Sequence, residues 1–232
     1  MIEAEWWDYE DAEEMAGAVA SDVEFIIESA LDARGAALIA LPGGNTPLPI
    51  YALLAKAKLD WKRVTILPTD ERLVAMTDPL SNAGMLAKTF LSKGARVVPL
   101  ATGAGEYRKA GLDADERLTA MKWPLDLVWL GMGADGHTAS MFAGPDLAAA
   151  LSAPARAIGV KPDPMPKEAP VERVTLTRNA IISARTLTIV LSGADKRAML
   201  EQAIEDGTKS KLPIGQVLAQ ADQAVDIHWS AV

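Results

Sequence analysis

The sequence predicts an α/β fold: a mostly parallel, Rossmann-like sheet with helices on both faces, built as one domain over residues 1–232. Three observations predict it. Short apolar runs alternate with segments of helical period along most of the chain. Half of the residues are hydrophobic, which at this length suffices to bury a substantial core. The alternation is that of βα units, whose strands pair in parallel and whose helices cover the sheet.

The first predicted element is a helix over residues 9–33. Met15, Val19, Val23, Ile26, Ile27 and Leu31 recur at helical spacing with acidic residues between them, and Gly35 supplies the stop. Apolar runs then predict strands at 37–41, 64–67, 97–100, 127–130, 174–176, 187–191 and 225–227, with helix-like segments at 48–57, 81–91, 106–121 and 195–205. Residues 154–170 break this rhythm with five prolines and few apolar side chains, and read as a surface excursion bordering the site. There is no internal repeat or low-complexity segment. In open α/β sheets ligands bind beyond the carboxyl ends of the strands, so the loops there are the ones to search.

Composition narrows the function classes. A formal net charge of −8 with no Lys/Arg-rich block argues against a nucleic-acid partner, because binding to the phosphate backbone needs a cationic face. An anionic small molecule remains compatible, held by local donors against a mildly repulsive global field. No apolar run approaches the roughly 18 residues that span a bilayer, and the acidic opening lacks the pattern of a signal peptide, so no membrane partner and a cytoplasmic location are expected. The absence of cysteine removes disulfides, thiolate nucleophiles and Cys-based metal sites.

Three motifs could carry chemistry. Leu41-Pro42-Gly43-Gly44-Asn45-Thr46-Pro47 follows an apolar strand and precedes a helix. Gly43 and Gly44 permit close backbone approach, Asn45 or Thr46 can cap the helix, and the exposed N–H groups favour a phosphate; an ordinary strand-to-helix turn uses the same residues. Thr69-Asp70-Glu71-Arg72 again follows a strand, with Ser81-Asn82 opening the next helix. Arg72 could clamp an anion with its planar fork while Asp70 and Glu71 orient it or handle protons, and the competing reading is a solvated charge cluster.

The third motif, Leu130-Gly131-Met132-Gly133-Ala134-Asp135-Gly136-His137-Thr138-Ala139-Ser140, is the most informative. It formally contains GxGxxG after a strand, yet His-Thr-Ala-Ser follows instead of an apolar helix, and no acidic residue stands near 152–154 where a dinucleotide site needs one. His137, one of only two histidines, occupies this Gly-rich loop, and an imidazole titrates close enough to neutrality for proton transfer. A turn histidine satisfying backbone groups is the alternative. His228, in AVDIHWS, reads as an edge-strand residue. No HxH or HExxH spacing occurs, so neither a metal nor another cofactor is expected.

Taken in order, GGNTP, TDER with SN downstream, GMGADGHTAS, ERVTLT and SGADKRAML resemble the successive signatures of the 6-phosphogluconolactonase family, within the glucosamine/galactosamine-6-phosphate isomerase superfamily that includes glucosamine-6-phosphate deaminase. The likeness runs from Gly43 to Met199. It implies that Gly43, Gly44, Asn45, Thr46 and Asp70 line the substrate site, that Arg72, Arg173 and Lys196 help hold its phosphate, and that His137 is a general base. Departures are Asn45 where the family commonly has Ser, Leu67-Pro68-Thr69 before the DER triplet, and Ala143 in place of a frequent proline.

The implied reaction, in the oxidative pentose phosphate pathway, hydrolyses 6-phospho-D-glucono-1,5-lactone. A histidine could deprotonate the attacking water and then protonate the leaving ring oxygen, with Asp135 orienting the imidazole. The implied partner is a small sugar phosphate and the implied assembly a monomer or weak homo-oligomer. Two rivals are an aminosugar-phosphate deaminase/isomerase and a non-catalytic sugar-phosphate sensor. The deaminase resemblance requires a glutamate shortly after the histidine, which HTASMFAGPD lacks; a sensor normally carries a DNA-binding segment, and none is visible.

Overall fold

The structure, a computed structural model, describes residues 2–231. In chain order its strands and α-helices are β1 (Ala4–Tyr9), α1 (Ala12–Arg34), β2 (Ala37–Leu41), α2 (Leu48–Leu54), β3 (Val64–Pro68), β4 (Asp70–Arg72), α3 (Asn82–Phe90), β5 (Arg96–Val97), α4 (Tyr107–Thr119), β6 (Leu127–Leu130), α5 (Leu147–Ser152), β7 (Ala157–Val160), β8 (Arg173–Leu176), α6 (Arg178–Ile182), β9 (Thr186–Ser192), α7 (Ala194–Asp206), α8 (Pro213–Leu218) and β10 (Val225–Ser230). Seven strands form a sheet in the order β1-β10-β9-β6-β2-β3-β5, and every pairing in it is parallel.

The reason for the apolar runs is visible in β2 and β6. Ile39, Leu41, Leu127 and Trp129 face a core built with α1, α2 and α3, while Leu38, Ala40, Val128 and Leu130 face a second core built with α4 to α8. A strand covered on both sides has no polar face to alternate with, so its sequence reads as an unbroken apolar run. At the start of α1 the Asp11 carboxylate accepts the N–H groups of Glu13 and Glu14 at 2.9 and 2.8 Å, and Gly35 closes the helix at φ 72°.

Several expectations need correction. The run at 174–176 and the TDER segment do not belong to the parallel sheet or to a loop: β4, β8 and β7 form a separate antiparallel sheet in the order β4-β8-β7. Thr69 joins the two sheets, its N–H donating to Leu41 O at 3.0 Å and its carbonyl accepting from Leu176 N–H at 2.9 Å. The proline-rich stretch is not all excursion, because Ala157–Val160 is β7 and packs on α4. Gly111 and Gly159 make that contact possible: a Cβ on Gly159 would sit 1.7 Å from Tyr107 O, and one on Gly111 2.0 Å from Gly159 N.

At 97–100 only Arg96–Val97 pairs as strand, with Leu100 buried in coil. His228 is not at an edge either. β10 lies between β9 and β1, and the edge strand is β1, whose acidic AEWWDY sequence carries no interior-strand pattern.

Candidate active site

A cleft of about 360 Å³ opens at the carboxyl ends of β2, β3, β6 and β9 and gathers nearly every residue singled out from the sequence: Gly43, Gly44, Asn45, Thr46, Asp70, Arg72, His137, Arg173 and Lys196. Asp135 does not line it and reaches it only through His137. Asn82, whose sequence context predicts only a helix start, lies in the wall, and Trp129 joins the lining beneath the loops.

The β2 loop is shaped by one steric contact. A Cβ on Gly43 would lie 2.0 Å from Asn82 Oδ1, so only glycine lets the loop pass that side chain, while Gly44 takes φ 92°. The expected cap by Asn45 or Thr46 is absent: α2 starts after Pro47, whose fixed φ suits the helix entry, and no side chain caps it. Both side chains are exposed at the cleft.

Along β4 alternate side chains part company. Glu71 is 1% exposed and accepts the N–H groups of Asn82 at 2.8 Å and Ala83 at 2.7 Å, together with the Ser81 hydroxyl at 3.2 Å. It therefore caps α3 and has no proton role at the cleft; burial pushes its carboxyl above the ordinary range, against the pull of those N–H donors. Asp70 and Arg72 point the other way. Asp70 accepts the Ser140 hydroxyl at 2.5 Å, and Arg72 Nη1 donates to Leu80 O and Asn82 Oδ1, both at 2.8 Å.

Arg173 on β8 stands directly opposite Arg72 in the antiparallel register. It is 4% exposed, with Nη2 donating to Ala169 O at 3.1 Å and its guanidinium 5.2 Å over the Phe142 ring. The Nε atoms of Arg72 and Arg173 are both buried without a partner. Burial lowers the pKa of Arg173, Asp70 raises it, and Arg72 lowers it further. Two half-satisfied cations therefore face one cleft. Lys196, in the first turn of α7, is half-buried in the same lining.

His137 is held in the loop after β6. Gly133 N–H donates to His137 O at 2.9 Å, and a Cβ on Gly133 would sit 2.2 Å from the imidazole Cε1, so the ring occupies space that only glycine leaves. Nδ1 lies 2.5 Å from Asp135 Oδ1, and the ring stacks on Phe142 at a centroid distance of 4.1 Å. Burial raises the Asp135 carboxyl, but the hydrogen bonds from the His137 ring and backbone, with the imidazole charge, outweigh it and hold it below its usual range. With Nδ1 engaged, Nε2 is the nitrogen left for a ligand. Ala139 adopts φ 48°, a strained left-handed turn for a non-glycine residue, within the cleft lining. Phe142 escaped sequence reading because an aromatic residue in a loop carries no signal of what it will stack on. Among the described residues no group of three or more His, Asp or Glu side chains is placed to hold a metal.

The family model described as glucosamine-6-phosphate isomerases/6-phosphogluconolactonase matches residues 10–229. A 6-phosphogluconolactonase of Mesorhizobium japonicum is 36% identical, covering 97% of this chain and 94% of its own, and one of Rhizobium meliloti is 35% identical, covering 96% and 97%. The crystal structure of a 6-phosphogluconolactonase from Shewanella baltica superposes with a TM-score of 0.90 at 32% identity, over 99% of this chain and 98% of that one. These likenesses settle the relationship: the chain belongs to the glucosamine-6-phosphate isomerase/6-phosphogluconolactonase family.

Proposed function

We propose that this protein is a 6-phosphogluconolactonase that hydrolyses 6-phospho-D-glucono-1,5-lactone to 6-phosphogluconate, serving the oxidative pentose phosphate pathway with His137 as general base. One observation carries the reading. An imidazole with Nδ1 held by a carboxylate shares a single cleft with the Arg72–Arg173 pair and Lys196. In this reading the guanidiniums, Lys196 and the 43–46 loop hold the substrate's phosphate, with Asp70 fixing the wall through Ser140. That anchorage uses binding energy remote from the reacting carbon to place the lactone carbonyl against the base.

His137 Nε2 takes a proton from water as the oxygen attacks C1, giving a tetrahedral oxyanion. As that intermediate collapses, the imidazolium returns the proton to the departing ring oxygen. Asp135 fixes the ring's orientation and stabilises its cationic form between the two steps. The chemistry consumes one water and opens one C–O bond, so it calls for no cofactor. The deaminase reading is weaker because the cleft lining contains Asp70 but no glutamate. A cytoplasmic location is consistent with the absence, among the described residues, of any helix long and apolar enough to cross a membrane.

The test is proton release on adding fresh lactone to chelator-treated protein, with spontaneous hydrolysis subtracted. Acceleration is expected, and His137→Asn should lower kcat by about 10²–10⁴ while leaving affinity for 6-phosphogluconate unchanged. Near-normal turnover in folded His137→Asn removes the histidine from the mechanism; no acceleration by the parent protein removes the function.

A further inference from the structure

We propose that the cleft at the amino ends of the central strands, on the opposite edge of the sheet from the catalytic cleft, is a second binding site, for a small anion carrying two or more phosphoryl groups. This cleft encloses about 730 Å³, twice the space of the catalytic one, and lies across the starts of five neighbouring strands, β9, β6, β2, β3 and β5. Its lining brings together Arg34, Arg96, Arg117, Lys122 and Arg185 with a single carboxylate, Asp126. On a chain of net charge −8, five cations against one anion is a local reversal of the protein's field.

Asp126 does not neutralise that group. Its Oδ1 is shared between Arg34 Nη2 at 2.5 Å and Arg185 Nε at 3.5 Å, and its Oδ2 accepts the Leu38 N–H at 2.8 Å, so both oxygens are committed. Arg117 donates from Nη2 to Leu100 O at 2.5 Å, but its Nε is buried with no partner. Arg96 and Lys122 are exposed and have no ion-pair partner among the described residues.

Helix dipoles explain only part of the clustering. Arg34 and Arg117 stand in the last turns of α1 and α4, where a cation complements the helix end. Arg96 and Arg185 belong to no helix; they precede or open strands, and Lys122 lies beyond the end of α4. A cleft of about 730 Å³ lined by five cations suits an anion larger than one orthophosphate, with spaced phosphoryl groups, while Met121 and Trp123 supply an apolar wall.

The experiment is calorimetric titration at low ionic strength with pyrophosphate and with orthophosphate, using the whole protein and two variants. Arg96→Gln/Lys122→Gln alters two exposed, unpaired side chains of this cleft and should fold normally, which its melting temperature checks. Lys196→Gln alters only the catalytic cleft. Saturable pyrophosphate binding is expected, at least about tenfold tighter than orthophosphate, weakened about tenfold or more in the double variant and retained in Lys196→Gln. Absence of saturable binding, equal affinity for orthophosphate, indifference to the double variant, or loss in Lys196→Gln would each overturn the proposal. None of these readouts depends on lactone hydrolysis, so the two readings stand or fall separately.

Discussion

Replacing Gly133 with alanine should disable the proposed base without touching the proposed phosphate site. The backbone at Gly133 does not adopt a positive φ, so alanine brings no conformational strain of its own. What it brings is a methyl carbon 2.2 Å from His137 Cε1, 2.3 Å from Nδ1 and 2.8 Å from Asp135 Oδ1, where ordinary contact begins at 3.4 Å. The ring must therefore retreat by about 1 Å, away from a carboxylate that holds it at 2.5 Å and along a Phe142 ring stacked at 4.1 Å. A misplacement of about 1 Å can cost on the order of 10² in rate, so kcat for the lactone should fall by about that factor. The added carbon's nearest contacts are His137 and Asp135 and none of Arg72, Arg173 or Lys196, so competitive inhibition by 6-phosphogluconate should keep its wild-type constant. Steady-state kinetics with a melting curve measures all three quantities. Wild-type kcat in the folded variant, or an equal loss of product affinity, refutes the idea that Gly133 exists to seat the imidazole.

Arg173→Ala and Lys196→Ala should each reduce the preference for phosphorylated over plain gluconolactone by about 1.5–3 kcal/mol in kcat/KM, and unchanged preference in both places the phosphate elsewhere. Glu71→Ala leaves two α3 N–H groups and the Ser81 hydroxyl without their buried acceptor, and should lower stability by about 1–3 kcal/mol in urea denaturation. The buried His228 titrates at about 4 in the folded protein because burial disfavours its charge, against an ordinary 6.5. The unfolded chain thus takes up the proton first: His228's contribution is fully present above pH 6.5 and is lost as pH falls towards 4, amounting to about 3 kcal/mol. Comparing the pH dependence of unfolding with that of His228→Gln isolates it, and identical profiles would show that the histidine is not held neutral by the fold.

The sequence made legible whatever a local pattern can encode. β2 and β6 appear with the expected bounds because strands covered on both faces must be apolar throughout, and α1 because its 3.6-residue period and Gly35 stop are local properties. The errors are matters of pairing. Asp70-Glu71-Arg72 reads as a charge cluster in isolation and becomes a strand only when β8, about a hundred residues later, supplies its partner. β7 is hidden by flanking prolines, although Gly111 and Gly159 mark where two backbones meet. His228, expected at an edge, lies inside the sheet, because strand order has no signature within the strand itself. The residues of the candidate cleft are reached mainly through the serial resemblance of their motifs, since a glycine turn, a lone histidine or an arginine is ambiguous before its neighbours are known. Asn82 and Phe142 gained a meaning only when the fold brought them to Gly43, His137 and Arg173.

The small antiparallel sheet explains why the proposed phosphate site sits where it does. Like charges directly opposite on neighbouring strands repel, and burial of a guanidinium removes its hydration, so the Arg72–Arg173 register is unfavourable by itself. Only part of that cost is offset inside the protein, by Asp70 near Arg173 and by the carbonyls of Leu80 and Ala169; both Nε groups remain without an acceptor. A free surface would relieve the strain by letting one side chain swing into water. Here the β4–β8 ladder fixes both backbones, Asn82 pins Arg72, and Phe142 lies against Arg173, so the proposed phosphate is the group that would relieve it. The same Phe142 stacks on His137, so one ring contacts both the receptor for charge and the proposed base. Through that ring the small sheet, which carries Arg173, is packed against the loop that carries His137.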